Sequence, residues 1–267
     1  MSYRKIFSVV NEHTASTVTA RYAISLAAAD KAELILYAAH GEGIDETILH
    51  HTERHLDHLS TVAFELGIAV TRITETGSIT RLLPQRVQAE RADLVFYPLT
   101  PGERYGATLP RHTVHHLLRT IRCDLAIVRI VHMGKPHPRC ILVPLGGIIG
   151  DRERRVLFIA ALAKSFHSQV TLFHLTAGIA EKEMPGDIAR FREELRRHHV
   201  AVQDRSGRGH IGRSITVEAI TRHNDLIVIG ASERGPLRRL FFGNPAGDVM
   251  RQPPCNALLF RTAPGPP

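Results

Sequence analysis

The chain has 267 residues, which allows one large domain or two of ordinary size. Its 43% hydrophobic and 22% charged residues are typical of a globular protein and exclude an intrinsically disordered chain. Every hydrophobic run meets a charge or a proline within about ten positions, so the sequence predicts no membrane span.

The charge balance favours anionic partners. There are 34 lysines and arginines against 26 acidic residues, which gives a net charge of +8. Nucleotides, acidic lipids and acidic proteins fit that sign, whereas nucleic acid is disfavoured because the chain has no tryptophan and only 6% aromatic residues. Three cysteines without a CxxC spacing predict neither a disulfide framework nor a zinc knuckle, and they favour a cytoplasmic location.

The apolar run before Asn11 is too short for a secretory signal. We interpret this run, KIFSVV, as the first strand in chain order. A helical stretch, TASTVTARYAISLAAA, and a strand, ELILYAA, follow it. The apolar runs ADLVFYP and CDLAIVR come later in the same half. Short β-branched runs that alternate with helical periods predict βαβ units and a parallel sheet flanked by helices.

The second half has the same alternation. Ligands of such sheets lie at the carboxyl ends of strands where the strand order reverses, which points to the loops after Leu145 and Ile229. The predicted strands are Ile141–Leu145, Val170–Leu175, Ala201–Asp204, Leu226–Ile229 and Ala257–Phe260. The predicted helices are Arg152–Phe166, Gly186–His198, Ser214–His223 and one through Ala246–Met250.

An internal repeat relates the two halves, since three anchors recur with an offset of 132 residues. The anchor pairs are Gly77 and Gly209, Asp93 and Asp225, and Cys123 and Cys255. The sequence therefore predicts a domain over residues 1–132, a Gly- and Pro-containing linker over 133–138, a second domain over 139–262 and a tail over 263–267.

The second half resembles the universal stress protein family. The likeness lies in the run from Ile227 to Arg261 and in the segment Gly209–Asp225 before it. The family's nucleotide motif is Gly, two residues, Gly, nine residues, Gly, then Ser or Thr. Here Gly230 and Gly243 match the first and third glycines, while Glu233 and Asn244 replace the other two positions.

The departures from the motif matter because a phosphate cradle needs glycines and backbone N–H groups. Glu233 would repel a phosphate unless an arginine such as Arg238 neutralises it, whereas Gly235 could supply the missing backbone freedom. The resemblance implies that ATP or AMP would be the ligand. The candidate binding residues are Gly146, Gly147, Gly230, Ser232, Gly235, Arg238, Gly243 and Asn244, with Gly146 standing where the family carries an aspartate.

The first copy departs further from the family. Pro98 stands where Gly230 stands in the second copy, Arg111 replaces the counterpart of Gly243, and Asn11 takes the aspartate position. Proline offers neither an N–H group nor positive φ. The first domain is therefore expected to be structural and to bind no nucleotide in the family's manner.

Other chemistries are weaker readings of the same sequence. Gly207–Gly212 is a formal GxGxxG, but the preceding strand is polar at its end and is not the first of its unit. The residues after Gly230 miss a hydrolase elbow by one glycine. Two helical histidine groups could hold zinc but fit a solvated helix surface better. Those groups are His51, His55 and His58, and His112, His115 and His116.

The resemblance implies an α/β protein of two tandem, doubly wound, mainly parallel five-stranded domains with the adenine nucleotide alpha hydrolase-like fold. It implies an internal pseudo-dimer of the two domains, paired through the strands LAIVRIV and ALLFR. It also implies a non-enzymatic stress-response or regulatory module without a bound metal. The alternative that stays open is a protein-interaction domain without nucleotide binding, which docks on a membrane transporter or another partner. The loop sequences GASERG and VPLGG resemble the transporter-associated subset of the family.

Overall fold

The structure, a computed structural model, describes residues 2–100, 111–146, 149–176, 186–231 and 249–264. The chain divides into two compact units, Met1–Pro136 together with Ala263–Pro267, and His137–Thr262. In each unit the described residues form parallel strands that alternate with helices, which confirms the predicted fold class. No helix within the described ranges is long and apolar enough to cross a membrane.

The first unit has the strand order β3-β2-β1-β4-β5, and each neighbouring pair is parallel. Its strands are β1 (Lys5–Val9), β2 (Glu33–His40), β3 (Val70–Thr76), β4 (Leu94–Pro98) and β5 (Asp124–Arg129). Its helices are α1 (Thr14–Asp30), α2 (Glu46–Glu65), α3 (Ile79–Ala89) and α4 (Arg111–Thr120).

The second unit repeats this topology with the order β8-β7-β6-β9-β10, again with parallel pairs. Its strands are β6 (Cys140–Leu145), β7 (Gln169–Thr176), β8 (Val202–Arg208), β9 (Leu226–Gly230) and β10 (Asn256–Arg261). Its helices are α5 (Arg152–Phe166), α6 (Gly186–Arg197) and α7 (Ile211–Thr221). The same chain order of elements gives the same sheet order in both halves, as a duplicated unit requires.

Most predicted elements of the second half are confirmed within one to three residues, and α5 has the predicted bounds. The exception is β8, which continues to Arg208 instead of ending at Asp204. This strand lies at the edge of its sheet and none of its residues is buried, so the polar residues after Asp204 do not mark its end. Of the helix predicted through Ala246–Met250, residues 249 and 250 are helical, and the others lie outside the described residues.

The glycine anchors of the repeat adopt the same type of backbone conformation. Gly77 follows β3 with a φ of 141°, and Gly209 follows β8 with a φ of 96°. Side chains rarely adopt such angles, so glycine turns the chain from the third strand into the next helix in both units. The cysteine anchors are also alike, because Sγ of Cys123 and of Cys255 lies 3.5 and 3.6 Å from the next residue's carbonyl oxygen.

The aspartate anchors hold two strands together in each unit. Oδ2 of Asp93 accepts hydrogen bonds from the backbone N–H groups of Arg4 and Lys5, at 2.8 and 3.0 Å. Oδ2 of Asp225 accepts the equivalent bonds from the two residues at the start of β6, at 3.0 and 3.1 Å. A carboxylate just before the fourth strand thus fixes the amino end of the first strand beside it.

Replacing Asp93 with alanine should lower the free energy of unfolding by about 1–3 kcal/mol, because two N–H groups lose a charged acceptor. Urea unfolding would measure this loss. The control is Asp57→Ala, whose side chain is 67% exposed and pairs only at the surface with Arg72, so its loss should stay below about 1 kcal/mol. Equal losses for the two variants would contradict the assigned role of Asp93.

Candidate functional site

The strand order of the second unit reverses between β6 and β9. These strands are adjacent and parallel, with Ile141 opposite Leu226 and Leu142 opposite Ile227. β7 lies on the other side of β6 and β10 on the other side of β9. The loops after Leu145 and Ile229, singled out from the sequence, therefore begin at the switch point, where sheets of this class bind ligands.

Two glycines stand at this switch point in contrasting surroundings. Gly146, directly after β6, is exposed, and a Cβ built on it would have no atom within 4 Å in the part of the chain that the structure describes. Gly230 ends β9, and a Cβ built on it would lie 2.5 Å from both Cζ and Nη1 of Arg155. A side chain at position 230 would therefore force the guanidinium of Arg155 to move.

Arg155 reaches this position from the second turn of α5. It is only 7% exposed, and its Nη2 donates a hydrogen bond to the carbonyl oxygen of Ala231 at 3.0 Å. Its Nε has no hydrogen-bond partner among the residues that the structure describes. Burial lowers the pKa of the guanidinium, and the negative charge of Asp151 acts in the opposite direction. An arginine stays protonated despite such a shift, so the end of β9 carries a buried positive charge.

Aromatic packing fixes α5 over the sheet. Phe158 stacks on Phe260 of β10, with ring centroids 3.9 Å apart and planes 5° from parallel. Phe158 lies three residues after Arg155 on the same face of the helix. At the start of α5, the Thr262 hydroxyl donates a hydrogen bond to Oδ2 of Asp151 at 2.6 Å. These contacts at both sides of Arg155 aim its side chain at the end of β9.

The other predicted binding residues lie outside the described residues. They are Gly147, Ser232, Gly235, Arg238, Gly243 and Asn244. Their roles in binding stay predictions. The roles of Gly146 and Gly230 also stay predictions, although the fold brings these two glycines to the ends of adjacent strands.

Comparison with known proteins supports the family and the fold. A model of the universal stress protein family matches residues 139–261. The matched stretch contains β6 to β10, so the second unit is similar to that family. No curated protein matches the sequence.

Solved structures match almost the whole chain. A universal stress protein from Archaeoglobus fulgidus DSM 4304 is 12% identical, with a TM-score of 0.65 over 96% of this chain and 97% of that one. A functionally unknown protein from Pseudomonas aeruginosa PAO1 is 18% identical, with a TM-score of 0.65 over 98% and 93%. The cytoplasmic domain of a prokaryotic cation chloride cotransporter is 11% identical, with a TM-score of 0.63 over 98% and 96%. At these identities the likeness establishes the fold alone.

The sequence reading of the second unit missed Arg155. A signal was present, because Arg155 lies on the apolar stripe of α5 that continues through Phe158, Ile159, Leu162 and Phe166. A charge on a stripe that faces the core predicts a buried guanidinium with a special partner. The family motif begins at Gly230, the last residue of β9, and continues after it, so its spacing carries no information on α5.

The first unit has no counterpart of this arginine. Each first helix is followed by a left-handed residue, Lys31 in one unit and His167 in the other, and counting back twelve positions gives Thr19 and Arg155. Thr19 is buried, and its hydroxyl donates to the carbonyl oxygen of Ala15 at 2.9 Å within α1. The first unit thus combines a neutral residue at this position with Pro98 at the end of β4.

A different network lies at the ends of β2 and β3 in the first unit. The Tyr37 hydroxyl donates to Oε2 of Glu75 at 2.8 Å, and Nη2 of Arg86 donates to Oε1 at 2.6 Å. Burial, together with the bond to Glu75, raises the pKa of Tyr37. The bond from Arg86 lowers the pKa of Glu75. Each carboxylate oxygen has a donor, so this network is a structural connection between two strands and α3.

The weaker sequence readings also have definite locations. Nδ1 of His55 lies 2.8 Å from the carbonyl oxygen of Asn11, so this histidine connects α2 to the loop after β1. Among the described residues, no three His, Cys, Asp or Glu side chains are grouped as metal ligands. In the formal GxGxxG, Gly207 belongs to the edge strand β8 and Gly212 is buried in α7. This segment lies away from the switch point between β6 and β9.

Replacing Gly230 with alanine should displace the guanidinium of Arg155 and lower the free energy of unfolding by about 1–3 kcal/mol. The same change should cost less by at least about 0.5 kcal/mol in an Arg155→Ala background, because the obstructing group is gone. Chemical unfolding of the four variants of this cycle would measure both values. Gly146→Ala is the control and should change stability by less than about 0.5 kcal/mol. Identical costs in both backgrounds would contradict the contact.

The Glu75 network should stabilise the first unit in a pH-dependent way. Because the folded-state pKa of Glu75 is lowered, its stabilisation is complete above the unfolded pKa of about 4.3 and is lost as pH falls through the folded value. Glu75→Gln should therefore cost about 1 kcal/mol near pH 7, and this difference should shrink on acidification. Unfolding measured from pH 7 to pH 3 tests this, with the exposed Glu65→Gln as control. A difference that grows at low pH would refute the assignment.

Proposed function

We propose that the protein is a non-enzymatic regulatory module of the universal stress protein type, whose second unit senses an adenine nucleotide, ATP or AMP. The observation that carries the proposal is the position of Gly230, the first glycine of the family motif, at the carboxyl end of β9 beside β6. Backbone that lacks side chains at a switch point can approach a phosphate closely. The net charge of +8 also favours an anionic ligand.

A sensing role is favoured over hydrolysis by the residues at the strand ends. An ATP-hydrolysing site needs a carboxylate for Mg²⁺ and a group that positions water. Gly146 and Ala231, which directly follow β6 and β9, offer neither. The nearby carboxylate of Asp151 accepts a hydrogen bond from Thr262. We therefore assign binding, and no turnover, to this unit.

A second candidate function is docking on a membrane transporter or another protein, without a nucleotide. It is supported by the likeness of the fold to the cytoplasmic domain of a cation chloride cotransporter. It is also supported by the position of Arg155, whose guanidinium takes up space beside the first motif glycine. Pairing of the two domains as an internal pseudo-dimer and a cytoplasmic location stay predictions under either function.

Isothermal titration with ATP and with AMP should give saturable binding to the full chain, without conversion of ATP to ADP. Gly243→Arg should abolish the binding, because a long side chain would block the predicted cradle. Gly41→Arg is the matched control, since Gly41 is exposed and a Cβ there has open space around it. Absence of binding to the wild-type chain would favour the docking function, and ADP production would favour an enzyme.

A further inference from the structure

The buried guanidinium of Arg155 has fewer partners among the described residues than it has donors. A guanidinium carries five N–H donors, and the described contacts give it one carbonyl acceptor, that of Ala231. A carbonyl oxygen accepts a hydrogen bond but does not neutralise the charge. A buried cation without a matching anion is destabilising, and it is normally paired when it persists in a fold.

The carboxylate of Asp151 is hydrogen-bonded to Thr262 and not to Arg155 among the described contacts. Asp151 precedes α5 by one residue and acts on Arg155 through its charge, but it is not hydrogen-bonded to the guanidinium among the described contacts. Its Oδ2 accepts from Thr262. The arrangement therefore leaves donors available for a further anion.

The direction of the side chain indicates where that anion would lie. The guanidinium is packed against Gly230 at the switch point, and the neighbouring strand β6 is followed by Gly146, where an added Cβ would meet no atom of the described residues within 4 Å. Among the residues that the structure describes, the end of β6 thus offers open space, while the end of β9 offers a fixed positive charge. An arginine fork suits phosphate oxygens, which can accept two parallel N–H bonds.

We propose that Arg155 is the phosphate-binding residue of the second unit, and that the ligand at the ends of β6 and β9 is held by a phosphate group placed against α5. The inference rests on the proposed function in its choice of site, and it adds the binding residue and the anchored part of the ligand. The first unit, with Thr19 and Pro98 at the equivalent positions, has no such site.

The test uses titration of the full-length chain with ATP, tripolyphosphate and adenosine. The variants are Arg155→Met, which keeps the length and removes the charge, and Arg155→Lys, which keeps the charge and loses the fork. Arg190→Met on the exposed surface of α6 is the control, because it removes the same charge from the same unit. Circular dichroism establishes that each variant is folded, and Arg155→Lys serves the test if Arg155→Met is not.

Arg155→Met should weaken ATP and tripolyphosphate binding by roughly ten- to hundredfold and leave adenosine binding unchanged. Arg155→Lys should be weakened less, and Arg190→Met should match the wild type. Tripolyphosphate binding that needs Arg155, without any ATP binding, would support this inference and count against the nucleotide function. Equal ATP binding by wild type and Arg155→Met would refute the inference and keep that function. Tighter ATP binding by Arg155→Met would identify the arginine as a group that blocks the site and would also overturn the inference. A wild-type chain that binds none of the three compounds would overturn it as well.

Discussion

The geometry of each unit depends on one carboxylate at the amino edge of its sheet. Asp93 and Asp225 each accept two backbone N–H groups from the start of the neighbouring first strand. The strands joined in this way, β1 with β4 and β6 with β9, are those between which the chain order reverses. The carboxylate therefore sets the register of the pair whose opposite ends form the switch point. A residue type retained in both copies for this reason is structural, although it helps to position a site at the other edge.

The repeat could be predicted from the sequence because its glycine and aspartate anchors are residue types that the local backbone needs at those positions. The positive φ angles favour glycine at Gly77 and Gly209, and the bonds to the first strand need a carboxylate four residues after the last residue of the preceding helix. The carboxyl end of strand β8 could not be predicted, because its last residues are polar and a polar stretch is equally compatible with a loop. The role of Arg155 could not be read from motif spacing, since its partner Gly230 lies 75 residues away and their contact depends on how α5 lies over the sheet.

Both copies have an ion pair between the third strand and the following helix, with the charges exchanged. In the first unit Glu75 of β3 pairs with Arg86 of α3, and in the second Arg205 of β8 pairs with Glu218 of α7. Arg86 and Glu218 are separated by the repeat offset of 132 residues. The strand members are not equivalent by that offset, because Glu75 corresponds to Gly207 and Arg205 to Ile73, so each copy has its own ion pair between the third strand and the following helix. Such a contact constrains packing and places no demand on which partner is positive.

The residues at the switch point differ in another way from these ion pairs. Here the two copies differ in net charge, and no partner residue within the described pair offsets the difference. Where the second unit joins a cationic Arg155 to Gly230, the first joins a neutral Thr19 to Pro98. An apolar side chain of similar volume would fill the space beside a glycine at lower cost than a buried guanidinium, if filling space were the only requirement. The charge is stabilising only when an anion lies against it. The phosphate ligand proposed above would supply that anion in the second unit, whereas the first has no charge at this position to neutralise.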